Sequence, residues 1–390
     1  MTSSYLLDGV RVLDLSRVLA GPLAGRVLSD LGADVVKVEP PEGDITRLWG
    51  KVVNGLSGYY TQQNAGKRNV SVDLNASGGP ELVADLAAAG DVVIENFRPG
   101  VLRRFRLDWE HLAARNPRLV MLSISGFGQH GPESARPAYA PVVHAEAGLV
   151  ARQAEMDGTR PLDQIISTAD VLASLHGVVG LLAALLSSRE TGRGQHVDVA
   201  MLHALCFSDD LAHFALDDFP PMRPGGEVWD TATGPIIIAG PFQWVWKTLA
   251  RHHGLTDGCG PDAALADKIS ARRDAVAKFL RDLPDREALT AAMTAANLAW
   301  GEVRSGPEVL GSATLAARGA IREVDDRGGA VRRVMDSPYR FSDAASGLHG
   351  VAPYRGEHNA QVLGEWLDAD AAAVRALEQT GVLVSEEAKV

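Results

Sequence analysis

Short aliphatic and β-branched runs alternate with amphipathic helical stretches through the first half of the chain. Val10 to Leu15 predicts a strand, Leu23 to Leu31 a helix closed by Gly32, and Asp34 to Glu39 a second strand stopped by Pro40 and Pro41. Asn69 to Leu74 predicts a third strand, Gly79 to Ala89 a helix closed by Gly90, Asp91 to Phe97 a fourth strand and Leu119 to Ser125 a fifth. Strands that alternate with helices build a parallel sheet covered on both faces, so the chain reads as α/β. From Ala169 a long helical pattern runs to about Glu190 and stops at Gly192, after which "QHVDVAML" reads as a strand.

The pattern changes after about Leu216. Pro220, Pro221, Pro224, Gly225 and Gly226 predict a linker, followed by a segment with Trp229, Trp244, Trp246 and several helices to about residue 315. Further on, "AIREVDDRGGAVRRVMDSPYRF" predicts a small antiparallel hairpin, and residues 359 to 380 read as helical. The expected division is 1–216 for the first part of a large domain, 217–315 for a small domain, and 316–390 for a return to the large one.

With 390 residues, 46% of them hydrophobic, the chain can bury a substantial core. The net charge of -11 argues against a nucleic-acid partner, because phosphate neutralisation requires a basic face. Only Cys206 and Cys259 are present and neither has metal-site spacing, so no metal and a reducing compartment are expected. The start, "MTSSYLLDGVRVLDLS", lacks a basic segment followed by an apolar core. The longest purely apolar run, Val178 to Leu186 with one glycine, is short for a bilayer. These features predict a soluble cytoplasmic protein without a membrane partner.

The opening strand-loop-helix-strand unit, with Glu39 ending its second strand, has the outline of a dinucleotide-binding fold. Its loop nevertheless reads "RVLAGPLAG" in place of GxGxxG, which argues against a nicotinamide cofactor. Lys37, Lys67, Arg68, Arg98, Arg103, Arg104 and Arg106 sit at or just after predicted strands, where ligands of open α/β sheets bind, and their charge suits phosphates. Adjacent His252 and His253 would point about 100° apart on a helix and do not form a metal pair.

Several segments in order carry a resemblance: "LDGVRVLDLSRVLAGP", "LGADVVKVEPPEGDITR", "NAGKRNVSVDL", "DVVIENFRPGVLRR", "SISGFGQHGP", "STADVLASLHGVVGLLAALL" and "GRGQHVDVAML". With "SPYRFS" and "YRGEHNAQVL" near the C-terminus, they resemble the family III CoA-transferases, also called the CaiB/BaiF family. The likeness is specific across residues 7 to 205 and about 315 to 385, and weak between them. It implies a large Rossmann-like domain built from both chain ends, a smaller middle domain and an interlocked homodimer. It also implies coenzyme A or acyl-CoA as substrate rather than a permanently bound cofactor, with small carboxylic acids as the other partner. By motif position it implies CoA contacts at Leu19, Ala20, Val72, Asp73, Leu74, Asn75, Asn96, Phe97, Arg98, Arg104 and Tyr139.

The same resemblance places the catalytic aspartate of the family at Asp170. In those transferases the carboxylate carries acyl and CoA groups covalently in a ping-pong reaction. A helix start supplies free N–H donors and partial positive charge to such a carboxylate, with Ser167 or Thr168 as the expected cap.

The family also contains α-methylacyl-CoA racemases, which carry a His-Asp pair just after the "GFGQxGP" segment. Here Tyr139 and Ala140 stand at those places, so a two-base racemisation lacks a partner, and His144 lies further along. Most transferases of the family have an acid where this chain has Ala140. Oxalate-using members carry glutamine at the position of Leu19 and a longer glycine run than "PGGE" at 224 to 227, so an oxalate specialist is not expected. Trp229, Trp244, Trp246, His252 and His253 either line the acyl pocket that this family forms between subunits or pack the small domain. The leading expectation is therefore transfer of CoA between two carboxylic acids. A racemase or isomerase and a non-catalytic CoA-binding homologue are the alternatives.

Overall fold

The computed structural model describes residues 4–219 and 225–386. The linker prolines Pro220, Pro221 and Pro224 lie outside the described residues. The chain divides into two compact units, Met1–His213 with Ala316–Val390, and Phe214–Leu315.

The first unit is built on a six-stranded parallel sheet of β1 (Arg11–Asp14), β2 (Asp34–Glu39), β3 (Arg68–Ser71), β4 (Val92–Glu95), β5 (Val120–Ser125) and β6 (His196–Ala200). Their spatial order is 3-2-1-4-5-6, with Val12 of β1 opposite both Val35 and Val92. This order reverses direction between β1 and β4, and loops leaving the carboxyl ends of those strands diverge to leave a crevice. "QHVDVAML" is only partly a strand, since β6 passes directly into a helix at Met201.

The helices of this unit that matter below are α1 (Ala20–Asp30), α2 (Gly58–Asn64), α3 (Gly79–Ala88), α4 (Trp109–Arg115), α5 (Ala140–Glu146), α6 (Leu149–Asp157), α7 (Thr168–Thr191) and α8 (Met201–Ser208). Successive strand side chains point to opposite faces, and the buried residues sort accordingly. Val12, Ile94, Leu122 and Ile124 pack with Ala24 and Leu28 of α1 and with Ala173 and Leu181 of α7. Leu13, Val93 and Met121 pack on the other face with Leu82 and Leu86 of α3 and Leu112 of α4. Val362, Leu363 and Trp366, from a helix at Asn359–Leu367, join that second layer, so the returning C-terminal segment completes the core. Each fully buried aliphatic side chain contributes about 1.5–3 kcal/mol.

Helix α7 is long and apolar enough, by length and composition, to cross a membrane, a property that counting only unbroken apolar residues missed. Its small residues let it lie close to the sheet. A Cβ on Gly177 would come within 3.0 Å of Leu122.

The second unit contains an antiparallel sheet that the sequence reading did not foresee: β7 (Gly226–Thr231), β8 (Gly234–Ala239) and β9 (Trp300–Glu302), with β8 central. Gly226, read as linker, begins β7. Helices at Phe242–His253, Leu265–Asp282 and Arg286–Ala295 bury Trp229, Ile236, Ile238, Trp246 and Leu249. Trp229 and Trp246 are thus core residues, whereas Trp244 remains 46% exposed. His253 Nε2 lies 3.0 Å from the Ala292 carbonyl.

Beneath the crevice lies a buried ionic cluster. Lys67 Nζ donates to Asp14 Oδ2 at 2.8 Å, to the Pro22 carbonyl at 2.8 Å and to Asn64 Oδ1 at 3.0 Å. Lys37 Nζ donates to the Ser16 carbonyl at 2.7 Å and lies 3.3 Å from Asp44 Oδ2. Burial pushes the Asp14 carboxyl upward, but Lys67 and Lys37 outweigh it and hold that group below its ordinary range. Removing one member leaves a buried charge unpaired, which costs far more than the intact pair contributes. Lys67→Met is therefore expected to lower unfolding stability by about 3–5 kcal/mol, measured from urea midpoints at pH 7. A change below about 1 kcal/mol would show that the cluster is not a structural keystone.

Candidate active site

Loops leaving the carboxyl ends of the strands enclose a cleft of about 880 Å³ at the point where the strand order reverses. Asp170, in the first turn of α7, lines it. His144 and the backbone N–H groups of Ala20, of Asp170 itself and of Ala140 act on this carboxylate and favour its charged form. Ala20 opens α1 and Ala140 opens α5, so three helix starts converge on one side chain. Burial is nevertheless the larger effect and pushes the Asp170 carboxyl up to about 6. A helix start alone does not keep this group at an ordinary carboxylate value, because the surrounding layer removes water from it.

The loop carrying Ala20 is held in an unusual shape. Val18 has φ 69°, a left-handed conformation that a β-branched residue adopts only under constraint. Its N–H donates to Asp44 Oδ2 at 3.2 Å. The preceding residue is clamped on both sides, since Arg17 N–H donates to Asn96 Oδ1 at 2.8 Å and Asn96 Nδ2 donates to the Arg17 carbonyl at 2.7 Å. Asn96 thus reaches the cleft with its side-chain amide already committed to the backbone.

Among the residues expected to meet CoA, Ala20, Asp73, Leu74, Asn75, Asn96, Phe97, Arg98, Arg104 and Tyr139 line the same cleft as Asp170. Tyr139 is 68% exposed at the start of α5. Leu19 and Val72 are buried and do not belong to its lining; Val72 instead packs in the second core layer and pairs with Leu383. Leu19 therefore offers no direct reading of the acyl group.

The basic residues divide by burial. Lys37 and Lys67 belong to the ionic cluster, and Arg68 pairs with Asp34 and Glu365. Arg103 pairs with Asp108 and Glu110 away from the cleft. Only Arg98 and Arg104, of the cations expected to suit phosphates, line the cleft. Arg17 and Arg136 line it too and were not anticipated. Arg17 lies over the Phe97 ring at 5.3 Å, while Arg136 is partly neutralised by Glu133 and Glu146. Position just beyond β1 was the available signal for Arg17. Glu39, which suggested a ribose-binding acid, is consumed by Arg47, Tyr60 and Asn69.

Beside the cleft, burial pushes the Glu95 carboxyl up to about 7, and its Oε2 accepts the Phe97 N–H at 2.8 Å, fixing the start of the Asn96–Arg98 loop. His144 is fully buried and both its ring nitrogens are engaged, Nδ1 with Asp163 and Nε2 with the Ala169 N–H. It does not serve as the missing racemase base. Among the described residues, no group of three or more His, Cys, Asp or Glu side chains is placed to hold a metal ion.

The family model described as CoA-transferase family III matches residues 7–359. Succinate–glutarate CoA-transferase of Agrobacterium fabrum is 34% identical, covering 92% of this chain and 95% of its own. Formyl-CoA:oxalate CoA-transferase of Streptomyces avermitilis is 33% identical, covering 97% and 99% respectively. The crystal structure of a CaiB/BaiF family protein from Brucella suis superimposes with a TM-score of 0.80 at 32% identity, over 93% of this chain and 100% of that one. By sequence over nearly its whole length and by the topology of its sheet, the chain belongs to CoA-transferase family III.

Proposed function

We propose that this protein transfers CoA from an acyl-CoA donor to a carboxylic acid acceptor through covalent intermediates on Asp170. The observation that carries the reading is a semi-buried carboxylate at three helix starts, inside a cleft whose other lining residues include Arg17, Arg98, Arg104 and Arg136. The arginines suit the phosphates of CoA, and Phe97, Leu102 and Pro40 supply apolar surface for its uncharged parts. Ala20, Asp73, Leu74, Asn75, Asn96, Phe97, Arg98, Arg104 and Tyr139 are the proposed contacts, and Leu19 and Val72 support them from behind.

A carboxylate oxygen of Asp170 attacks the thioester carbonyl, the C–S bond breaks, and CoA leaves as thiolate from a mixed anhydride. The thiolate then attacks the aspartyl carbonyl, breaking its C–O bond to release the donor acid and leave an aspartyl-CoA thioester. The acceptor carboxylate attacks that thioester and expels thiolate again. Thiolate attack on the acceptor's acyl carbon yields the new acyl-CoA and frees Asp170. N–H groups that face the carboxylate stabilise negative charge developing on the aspartyl oxygen. The raised carboxyl is a stronger nucleophile than an ordinary aspartate and remains mostly ionised above pH 7.

A second copy of the chain completes the proposed enzyme. The outer side of α7 exposes Leu175, Val179 and Leu186, at the spacing of one helical stripe, and Phe207 of α8 is 75% exposed. Such a surface supports a homodimer.

Incubation with succinyl-CoA followed by hydroxylamine is expected to place a hydroxamate on Asp170, seen by intact mass and peptide mapping, and Asp170→Ala should fold but show neither label nor turnover. A labelled or active alanine variant would remove Asp170 from the role. Because the carboxyl must be ionised to attack, the single-turnover labelling rate should be level above pH 7 and fall about tenfold per pH unit well below 6. A rate unchanged down to pH 4.5 contradicts that dependence. Replacing both Val179 and Leu186 by Glu should shift light-scattering mass from two copies toward one; an unaltered mass rules out this stripe as the dimer contact.

A further inference from the structure

Helix α7 begins without the usual cap. Ser167 makes no side-chain capping bond, and Thr168 Oγ1 donates to Gln164 Oε1 at 3.0 Å rather than accepting from a helix amide. The first amides must still find acceptors, because a buried N–H left unpaired is costly. Thr168 N–H donates to the Ile166 carbonyl at 2.8 Å and Val171 N–H to the Ser167 carbonyl at 3.1 Å. Ala169 N–H donates instead to His144 Nε2 at 3.1 Å, across from another helix. The Asp170 N–H favours the charged form of its own carboxylate.

This arrangement defines the protonation of His144. A nitrogen that accepts from an N–H must carry its lone pair, so Nε2 is bare and the ring proton sits on Nδ1. Nδ1 faces Asp163 Oδ1 at 2.8 Å, which fixes that tautomer. His144 lies four residues after Ala140 on α5, and is fully buried. One short helix thus begins with an N–H that favours the charged form of the Asp170 carboxylate and, a turn later, carries an acceptor for the amide beside it. His144 is absent from the cleft lining and has no unused nitrogen for proton exchange with a substrate.

We infer that His144 is a positioning residue: its Nε2 serves as the cap of α7 and sets where Asp170 stands relative to the Ala20 and Ala140 amides, with Asp163 holding the required tautomer. The inference rests on Asp170 being the nucleophile. It extends that reading to a residue whose chemistry never touches the substrate.

Two substitutions separate the two ring nitrogens. In His144→Gln the amide oxygen reaches the place of Nε2 and can accept from Ala169, whereas His144→Asn can still donate toward Asp163 but its side chain is too short to cap the helix. His144→Leu does neither. With succinyl-CoA as probe, the Asn and Leu variants should label Asp170 about 10–100-fold more slowly and lose kcat equally, because small displacements of a reacting group carry penalties of that order. KM for succinyl-CoA should stay within about threefold, and Gln should recover the rate to within about fivefold of the parent. Asp163→Leu, at a side chain that is 40% exposed, should slow labelling about 3–10-fold without unfolding the protein. Parent-like labelling in the Leu variant, or equal rates for Asn and Gln, would overturn the positioning role while leaving Asp170 as nucleophile. If the Leu variant fails to fold, the Asn–Gln comparison and Asp163→Leu decide the matter. Absence of label on Asp170 in the parent itself would instead defeat the nucleophile assignment, and this inference with it.

Discussion

Asp170 is a carboxylate partly withdrawn from water at a place where three helices begin, and much of the large unit serves to maintain that condition. Burial alone would force the group to keep its proton. Helix-start amides alone would make it a weak, ordinary carboxylate. Together with His144 they leave it near 6, ionised at neutral pH yet more basic than a surface aspartate. The balance requires the amides of Ala20 and Ala140 to remain in place without solvent, which the sheet and α7 supply through the layer of Ile94, Leu122, Ile124 and Ala173.

The Ala20 amide depends in turn on charge buried deeper. Val18 holds a left-handed backbone, and such a conformation persists only where its surroundings over-determine it. Asp44 takes the Val18 N–H, Asn96 clamps Arg17, and Lys37 holds the Ser16 carbonyl. The ionic cluster therefore has a use beyond stability: it shapes the segment from which α1 starts. His144 performs the corresponding task for α7, accepting the Ala169 N–H on its Nε2.

The cations show why charge in a sequence is an incomplete guide to ligand binding. Lys37, Lys67, Arg98 and Arg104 all lie within, next to or shortly after strands, and their positions along the chain do not distinguish them. Lys37 and Lys67 point into the layer below the crevice and are neutralised by Asp44 and Asp14, whereas Arg98 and Arg104 extend from the loop after β4 into the cleft. Glu39 follows the same logic, since it ends β2 as a ribose-binding acid would but is turned inward onto Arg47. The alternating pattern of β7 and β8 was present in the sequence as well, yet the nearby tryptophans and glycines masked it, and only pairing between the strands made a sheet of it.

By itself the sequence determined the α/β class, the strands of the parallel sheet with helices α1, α3 and α7, the closing hairpin, and the placement of an acid in the first turn of α7; the short helices α2, α4, α5 and α6 were not read from it. Those features follow from local periodicity, caps and breakers, which act over a few residues. It also carried the ordered motifs by which the family is recognised. Tertiary structure alone decided that the starts of α1 and α5 meet Asp170, that Asn96 spends its amide on Arg17, and that His144 caps α7. Each of these joins residues distant in the chain, and a side chain's direction into core or cleft depends on which neighbours have already taken its hydrogen-bonding groups.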